Sequence, residues 1–286
     1  MGGPSAEREV SLASGEAVTR GLRSAGYEVT AIDVPGEDVD IPHGVEAVFI
    51  AMHGTFGEDG TVQALLEAQE IPYTGPGPAA SRAAFDKIGA KRAFLDAGLP
   101  TPSFEVLGGE SVSTLDLPLI VKPACQGSSI GMHRIDEWPD WDAALADALS
   151  YGDSILVESF IPGRELTVGV VCDEVLPVLE VTIPEGEYDY RAKYTPGIVT
   201  YRVPAEIPKD RAEEAQRMTL AAYRLLGCRG MSRIDFRMAL DGALYLLEVN
   251  TIPGFTETSL LPKAAKAVGI EFPELCRRIM ESASVQ

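Results

Sequence analysis

The chain has 286 residues, of which 45% are hydrophobic, and a formal net charge of −19. This length is enough for two or three domains with a substantial core. The acidic balance argues against a general nucleic-acid-binding surface and against an anionic membrane as a partner, although it is compatible with a local basic pocket for a phosphate group.

Cysteine usage and apolar runs give no sign of a cluster-bearing, exported or membrane protein. The four cysteines are scattered without CxxC spacing, and three histidines are too few to indicate a zinc or iron–sulfur site. No apolar run approaches membrane-spanning length, and the N-terminus shows no apolar signal region. We therefore expect a cytoplasmic protein.

The first part of the chain alternates between helical and extended patterns. We predict helices over residues 13–24 and 61–69, and buried strands over 27–34 and 47–52. Such alternation is typical of a parallel sheet covered on both faces. The sequence from His53 to Gly60 follows the second strand, where open α/β sheets bind ligands.

A turn-rich stretch at residues 73–78 separates this region from helices over 79–97 and a β-rich middle. We place domain boundaries near residues 78 and 157. The predicted units are 1–78, 79–157 and 158–286.

Residues 233–250 predict a β-hairpin with Asp241-Gly242 as its turn. A two-residue type I′ loop pairs Leu240 with Ala243 and fixes every pair behind it. The two strands then place polar residues on one face and apolar residues on the other. The polar face carries Arg233, Asp235, Glu248 and Asn250, and the apolar face carries Ile234, Phe236, Met238, Tyr245, Leu247 and Val249.

The polar face of this hairpin is a candidate metal site. In the predicted register Asp235 lies opposite Glu248, and two facing carboxylates repel each other unless a cation lies between them. Carboxylate oxygens with the Asn250 amide alongside suit magnesium better than zinc. The alternative is a solvated face with fortuitous charges.

A glycine- and serine-rich loop follows Lys122 and ends at Gly131, between two predicted strands. Its backbone amides can approach an anion while Lys122 supplies charge. It is not a Walker loop, because the lysine precedes the glycines and a strand follows. Ser128 is a candidate polar positioner, with no histidine nearby in sequence to make it a nucleophile. The alternative is a glycine-rich turn without a ligand.

Three further segments carry candidate chemistry. Glu158, Ile161 and Glu165 offer backbone groups for a base and a carboxylate for ribose hydroxyls, or are simply solvated. The sequence over residues 188–194 predicts an aromatic and basic loop, either a lid or an exposed linker. The loop over 250–259 offers a backbone amide that can stabilise an oxyanion beside the metal.

Taken together, these motifs resemble those of the D-alanine:D-alanine ligase family, within the ATP-grasp superfamily, over residues 2–269. The resemblance implies an α/β fold with α+β elements: an N-terminal open parallel α/β domain, a small central α+β domain and a C-terminal α+β domain, with ATP between the last two. The segments that carry it are residues 2–11, 53–60, 122–131, 188–194, 233–235 and 248–250.

The resemblance also implies a role for each candidate residue. Asp235, Glu248 and Asn250 would hold two magnesium ions, with manganese as a substitute, Lys87 and Lys122 would contact phosphates, and Glu158, Ile161 and Glu165 would take the adenosine. Glu7 would grip the first substrate's ammonium in a hydrogen-bonded set with Ser128 and Tyr194, with His53 close by. Arg233 and the Gly254 amide would stabilise a tetrahedral intermediate, and Ser259 and Leu260, with Lys193 nearby, would receive the second substrate's carboxylate.

The implied reaction is ATP-dependent joining of two D-alanine molecules through a D-alanyl phosphate, with release of ADP and phosphate, for peptidoglycan precursors. Alternatives are a ligase using D-lactate or D-serine as second substrate, or a catalytically weakened nucleotide-binding homologue. Tyr194 favours an amide product over the ester. The family implies a homodimer, and a monovalent-cation requirement is left open. Relatives carry a strand before the Gly2-Gly3 turn, so we expect a form extended by an apolar strand to be more stable.

Overall fold

The computed structural model describes residues 1–109, 111–182 and 199–285. The helices are α1 (Arg8–Ser24), α2 (Thr61–Ala68), α3 (Pro78–Phe85), α4 (Lys87–Asp96), α5 (Trp141–Leu149), α6 (Lys209–Leu225), α7 (Leu260–Ala267) and α8 (Phe272–Glu281). The strands are β1 (Phe104–Leu107), β2 (Leu119–Pro123), β3 (His133–Ile135), β4 (Ile155–Ser159), β5 (Gly163–Val171), β6 (Glu174–Val175), β7 (Leu179–Thr182), β8 (Thr200–Arg202), β9 (Met231–Ala239) and β10 (Leu244–Asn250). Within the described residues, no helix is both long and apolar enough to cross a membrane.

The N-terminal region pairs in parallel, but only through isolated bridges among the described residues. Gly2 bridges Val34 and Val48 bridges Tyr73, so the predicted continuous strands over 27–34 and 47–52 are wrong in extent. One physical reason is that Gly2 and Gly3 both have left-handed φ values of 86° and 95°, which turn the chain away after a single bridge. A second is that the Ile50 amide donates to a side-chain oxygen of the neighbouring segment, not to its backbone.

A four-stranded antiparallel sheet has the order β1-β4-β2-β3. One face is apolar and packs against α5 through Val121, Val157 and Trp141. Alternation along β2 and β4 puts Lys122 and Glu158 together on the opposite face. This sheet therefore turns one charged face away from its own core.

The second sheet has six antiparallel strands, in the order β10-β9-β5-β7-β8 with β6 beside β5. The chain passes from the first sheet to the second across residues 160–162. The charged face of the first sheet and the polar face of the β9–β10 hairpin line opposite sides of the cleft between the two sheets.

The register of the β9–β10 hairpin agrees with the prediction at its far end and differs near its turn. Asp235 pairs with Glu248, as predicted, but Leu244 pairs with Met238, which leaves a three-residue loop with Gly242 at φ 88°. A β-bulge between Leu246 and Glu248 restores the predicted pairing.

The bulge also changes which side chains of β10 are buried. Leu244 and Leu246 lie in the core, so the prediction that Tyr245 and Leu247 share the apolar face is wrong. Leu247 and Glu248 instead both line the cleft, an arrangement that a regular strand cannot give to consecutive residues. The strand thus offers an apolar and an acidic side chain on the same side.

One hydrophobic core joins the N-terminal region to the C-terminal part of the chain. Val18 and Leu22 of α1 share it with Leu275 and Ile279 of α8. Helix α1 approaches α8 closely at Gly21, where a Cβ atom would lie 2.7 Å from the Cys276 sulfur. Ser284 also pairs with Tyr73, so the end of the described chain extends the N-terminal bridges.

Candidate active site

Two cavities meet in the middle of the molecule. One, of about 500 Å³, lies between the two sheets, and the other, of about 660 Å³, lies between α1 and the loop after β10. The fifteen sequence-predicted site residues that the structure describes all line one or both cavities. The residues that line both are Lys87, Gly127, Ser128, Glu248 and Leu260.

The two carboxylates of the hairpin each pair with a different cation. Arg233 donates from Nε and Nη2 to both carboxylate oxygens of Asp235, at 2.9 and 2.7 Å. Glu248 lies 3.3 Å from the Lys87 ammonium, which arrives on α4. Arg233 therefore shares the polar face with the two acids, as the predicted register requires, and in this structure it pairs with Asp235.

The same face has the donor set of a magnesium site. Asn250 Oδ1 is buried and has no hydrogen-bond partner in the described structure. Such an orphaned oxygen is costly unless something binds it, and a hard cation is a suitable partner. Within the described ranges, no three His, Cys, Asp or Glu side chains are placed so that they could hold a metal ion, so a metal here would need the amide together with Asp235 and Glu248.

A buried charge cluster lies deep in the cavity between the sheets. The Glu158 carboxylate pairs with Lys122 through one oxygen and with Lys91 through the other. Burial opposes the charge of Glu158, but the two ammonium groups hold its pKa below the usual range. The sequence indicated Lys122 and Glu158 and missed Lys91, whose only sequence signal was its position one helical turn after Lys87.

Arg237 of β9 holds the segment that joins the two sheets. Its guanidinium donates to the carbonyls of Ile161 and Gly163, at 3.0 and 3.1 Å, and lies 3.5 Å from the Glu165 carboxylate. The Phe160 ring lies near two guanidinium groups, with Arg134 4.0 Å and Arg237 5.3 Å from its centroid. This clamp fixes the candidate adenosine residues Ile161 and Glu165.

In the second cavity, Glu7 lies at the N-terminus of α1 against two glycines. A Cβ on Gly127 would lie 2.4 Å, and one on Gly54 2.8 Å, from the Glu7 carboxylate. Ser128, at φ 50°, donates a hydrogen bond to the same carboxylate. Only residues without side chains permit this close approach of the glycine-rich loop to α1.

His53 is held in a single tautomer by its neighbours. Its Nδ1 lies 2.8 Å from the Ile252 carbonyl, which can only accept, so Nδ1 carries the proton. Its Nε2 then accepts from the Ser14 hydroxyl at 2.9 Å, and Ser14 in turn accepts from the Phe255 amide at 3.1 Å. The network binds α1 to the loop after β10.

Glu58 is a buried acid in the second cavity that the sequence reasoning did not single out. Its carboxylate lies 3.6 Å from His53 Nδ1. Burial raises its pKa to about 7. The signal was present in the sequence, since Glu58 stands within the glycine-rich segment that follows His53.

The loop after β10 brings Gly254 and Ser259 to the mouth of the second cavity. Ser259 precedes α7, and its hydroxyl accepts from the Thr256 amide at 3.0 Å. Leu260 packs against Leu179 and Val181 of β7. Lys193 and Tyr194, and the predicted lid with them, lie outside the described residues.

Comparison with known proteins identifies the family. Models described as D-ala D-ala ligase C-terminus and N-terminus match residues 97–281 and 35–76. A D-alanine–D-alanine ligase of Syntrophotalea carbinolica is 49% identical, covering 100% of this chain and 95% of its own length, and one of Methylacidiphilum infernorum is 44% identical, covering 98% and 92%.

Solved structures give the same result. The D-alanine–D-alanine ligase of Bacillus anthracis complexed with ATP is 29% identical, with a TM-score of 0.84 over 99% of this chain and 94% of that one. A second structure of the Bacillus anthracis ligase is 32% identical, with a TM-score of 0.87 over 99% and 95%. The predicted ATP-grasp fold class is confirmed. The chain belongs to the D-alanine:D-alanine ligase family.

Proposed function

We propose that the protein joins two D-alanine molecules to D-alanyl-D-alanine, with ATP converted to ADP and phosphate through a D-alanyl phosphate. The observation that carries this proposal is the junction of the two cavities at Lys87 and Glu248. A nucleotide in the first cavity would present its terminal phosphate there to a carboxylate bound in the second. Family membership supports the choice of substrates.

In the first cavity, Glu158 would accept from the exocyclic amine of adenine and Glu165 would take the ribose hydroxyls. Leu247 and Glu248 both line this cavity, so Leu247 would give the base an apolar contact while Glu248 would face the phosphates. Lys122 and Lys87 would then lie along the phosphates. Their positive charges offset the charge that gathers on the transferred phosphoryl group.

We assign the magnesium site to Asp235, Glu248 and Asn250. Bound there, magnesium neutralises phosphate charge and orients the phosphates for in-line transfer. A cation bound there would compete with Arg233 for Asp235 and with Lys87 for Glu248. Arg233 and Lys87 would then turn toward the negative charge that develops on the substrates.

In the second cavity, the Glu7 carboxylate would bind the ammonium of the first D-alanine, with Ser128 and Tyr194 completing its hydrogen-bonded set and His53 beside it. Ser259 and Leu260, with Lys193, would take the carboxylate of the second. Its amine would then attack the acylphosphate carbon, and Arg233 and the Gly254 amide would stabilise the tetrahedral oxyanion. An amide forms and phosphate leaves.

We infer the wider setting from family membership. The product would serve peptidoglycan precursor synthesis in the cytoplasm, and the protein would work as a homodimer. We keep the division into units of 1–78, 79–157 and 158–286 as a proposal. Manganese would substitute for magnesium.

Phosphate release tests the function directly. Purified protein with ATP, magnesium and D-alanine alone should release one phosphate for each D-alanyl-D-alanine formed. The dipeptide is measured by mass spectrometry. L-alanine should give neither product. Turnover only after addition of D-lactate or D-serine would favour a related ligase, and nucleotide binding without turnover would favour a catalytically weakened homologue.

A further inference from the structure

Helix α4 carries two lysines beside the first cavity, and only one of them, Lys87, lines it. Lys87 and Lys91 are one turn apart, so their side chains leave the same side of the helix. Lys87 reaches Glu248 and the Gln126 carbonyl, at 3.3 and 2.7 Å. Lys91 turns inward to Glu158 and has no exposed surface.

Lys91 is completely enclosed by polar partners and an aromatic ring. Its ammonium contacts the Glu158 carboxylate and the Thr101 hydroxyl, and lies 5.7 Å from the Phe104 ring centroid. Burial lowers the pKa of Lys91, while the Glu158 charge opposes that shift. Burying a lysine this deeply is costly unless a partner of opposite charge is held beside it.

Lys122, the other ion-pair partner of Glu158, is placed differently from Lys91. Lys122 lines the nucleotide cavity, and it is the lysine that the proposed function assigns to a phosphate. When it turns to a phosphate, it must loosen its contact with Glu158. An unpaired carboxylate that is only 2% exposed would then carry a heavy desolvation penalty.

We propose that Lys91 is a positioning residue that serves as the permanent counter-cation of Glu158, so that Lys122 can transfer to a nucleotide phosphate without leaving the base-recognising carboxylate unpaired. This inference rests on the proposed nucleotide site. Lys91 touches neither base nor phosphate. It acts by keeping Glu158 ionised and oriented toward the exocyclic amine.

Thr101 extends the same arrangement to the strand that carries the proposed metal ligands. Its hydroxyl accepts from Lys91 and donates to the Leu246 carbonyl at 2.8 Å. The Leu246 amide in turn donates to the Pro100 carbonyl at 2.8 Å. Leu246 directly precedes the bulge, so Lys91 and Thr101 connect the base pocket to the strand segment that presents Glu248.

A double-mutant cycle on nucleotide affinity tests the proposal. ADP binding is measured by calorimetry, with folding checked by circular dichroism, for wild type, Lys91→Met, Glu158→Gln and the double variant. We expect Lys91→Met to weaken ADP binding about tenfold or more, since the bound phosphates would compete with Glu158 for Lys122. In the Glu158→Gln background, Lys91→Met should change the affinity for ADP by less than about twofold, because no carboxylate charge then needs compensation.

Matched variants keep the test decisive. Arg92→Met, an exposed change on the same helix, should bind ADP as wild type does. If Lys91→Met does not fold, Thr101→Val provides the test, because it removes the hydroxyl that contacts Lys91. Thr101→Val should weaken ADP binding about threefold or more, while Thr101→Ser should retain wild-type affinity. Independent, additive effects of Lys91→Met and Glu158→Gln, or wild-type affinity in Thr101→Val, would overturn the proposal. A wild-type protein that does not bind ADP would instead contradict the proposed function.

Discussion

Ser128 donates a hydrogen bond to the carboxylate of Glu7, although 121 residues separate the two in the chain. The contact joins the glycine-rich loop of the four-stranded sheet to the first helix, and both residues line the second cavity. A substrate ammonium bound to Glu7 would therefore lie under the loop that borders the nucleotide. Since Gly127 and Ser128 line both cavities, we expect occupancy of one cavity to affect binding in the other.

Ser128→Ala should weaken substrate retention without abolishing chemistry. A hydrogen bond to a charged group contributes about 1.5–3 kcal/mol, so we expect kcat/KM for D-alanine to fall about 10- to 100-fold. Steady-state kinetics at saturating ATP measure this. Ser150→Ala, which removes an exposed hydroxyl bonded only to a local carbonyl, is the control. An acyl-Ser128 species trapped in the wild-type protein would contradict the positioning role.

Gly127→Ala should damage the site more than the fold. The added Cβ would lie 2.4 Å from the end of the Glu7 side chain, which can move aside and lose its place. We expect about a tenfold fall in kcat/KM for D-alanine, with a melting temperature within a few degrees of wild type. Gly152→Ala adds the same methyl group in open space and should leave both quantities unchanged. Equal kinetics for the two variants would refute the packing argument.

Glu248→Ala should remove magnesium-dependent turnover while the fold is retained. The change removes one carboxylate from the proposed metal ligands, and it also removes the ion-pair partner of Lys87. Phosphate release measures the first effect, and manganese binding by electron paramagnetic resonance gives a readout apart from turnover. Glu213→Ala, an exposed acid on α6, is the control. Normal activity with normal manganese binding would exclude Glu248 as a ligand.

Glu58 should make the protein less stable as pH rises. Its folded pKa of about 7 exceeds the ordinary value of 4.5, so the folded state binds more protons between these values. The free energy of unfolding therefore falls as pH rises from about 4.5 to about 7, by on the order of 3 kcal/mol from this group.

Glu58→Gln should remove that contribution. The stability of the variant relative to wild type should increase between pH 5 and pH 7.5, as measured by urea unfolding. Groups far from Glu58 that titrate in this range are common to both proteins and cancel in the difference. Parallel pH profiles would show that Glu58 titrates normally in the folded protein.

The hairpin shows how far the sequence alone could determine the site. The pairing of Asp235 with Glu248 was predicted correctly, although the loop has three residues where two were predicted. A one-residue bulge cancels that error. Both Leu246 and Leu247 are apolar, so alternation could not show which of them is buried, and burial of Leu246 against the core decides it.

Long-range partners were beyond the reach of the sequence pattern. The facing carboxylates suggested a cation between them, but in the structure Glu248 pairs with Lys87, which comes from the distant helix α4. Lys91 and Glu58 were missed for a related reason. Each matters because of burial, and burial depends on how separate segments pack together.

The core shared by α1 and α8 has a consequence for how the protein melts. Because Val18 and Leu275 belong to one buried cluster, the first and last parts of the chain should unfold in one cooperative step. The four-stranded sheet has its own core with α5 and can open separately. Calorimetry should then show two transitions, with nucleotide raising the one that belongs to the sheet.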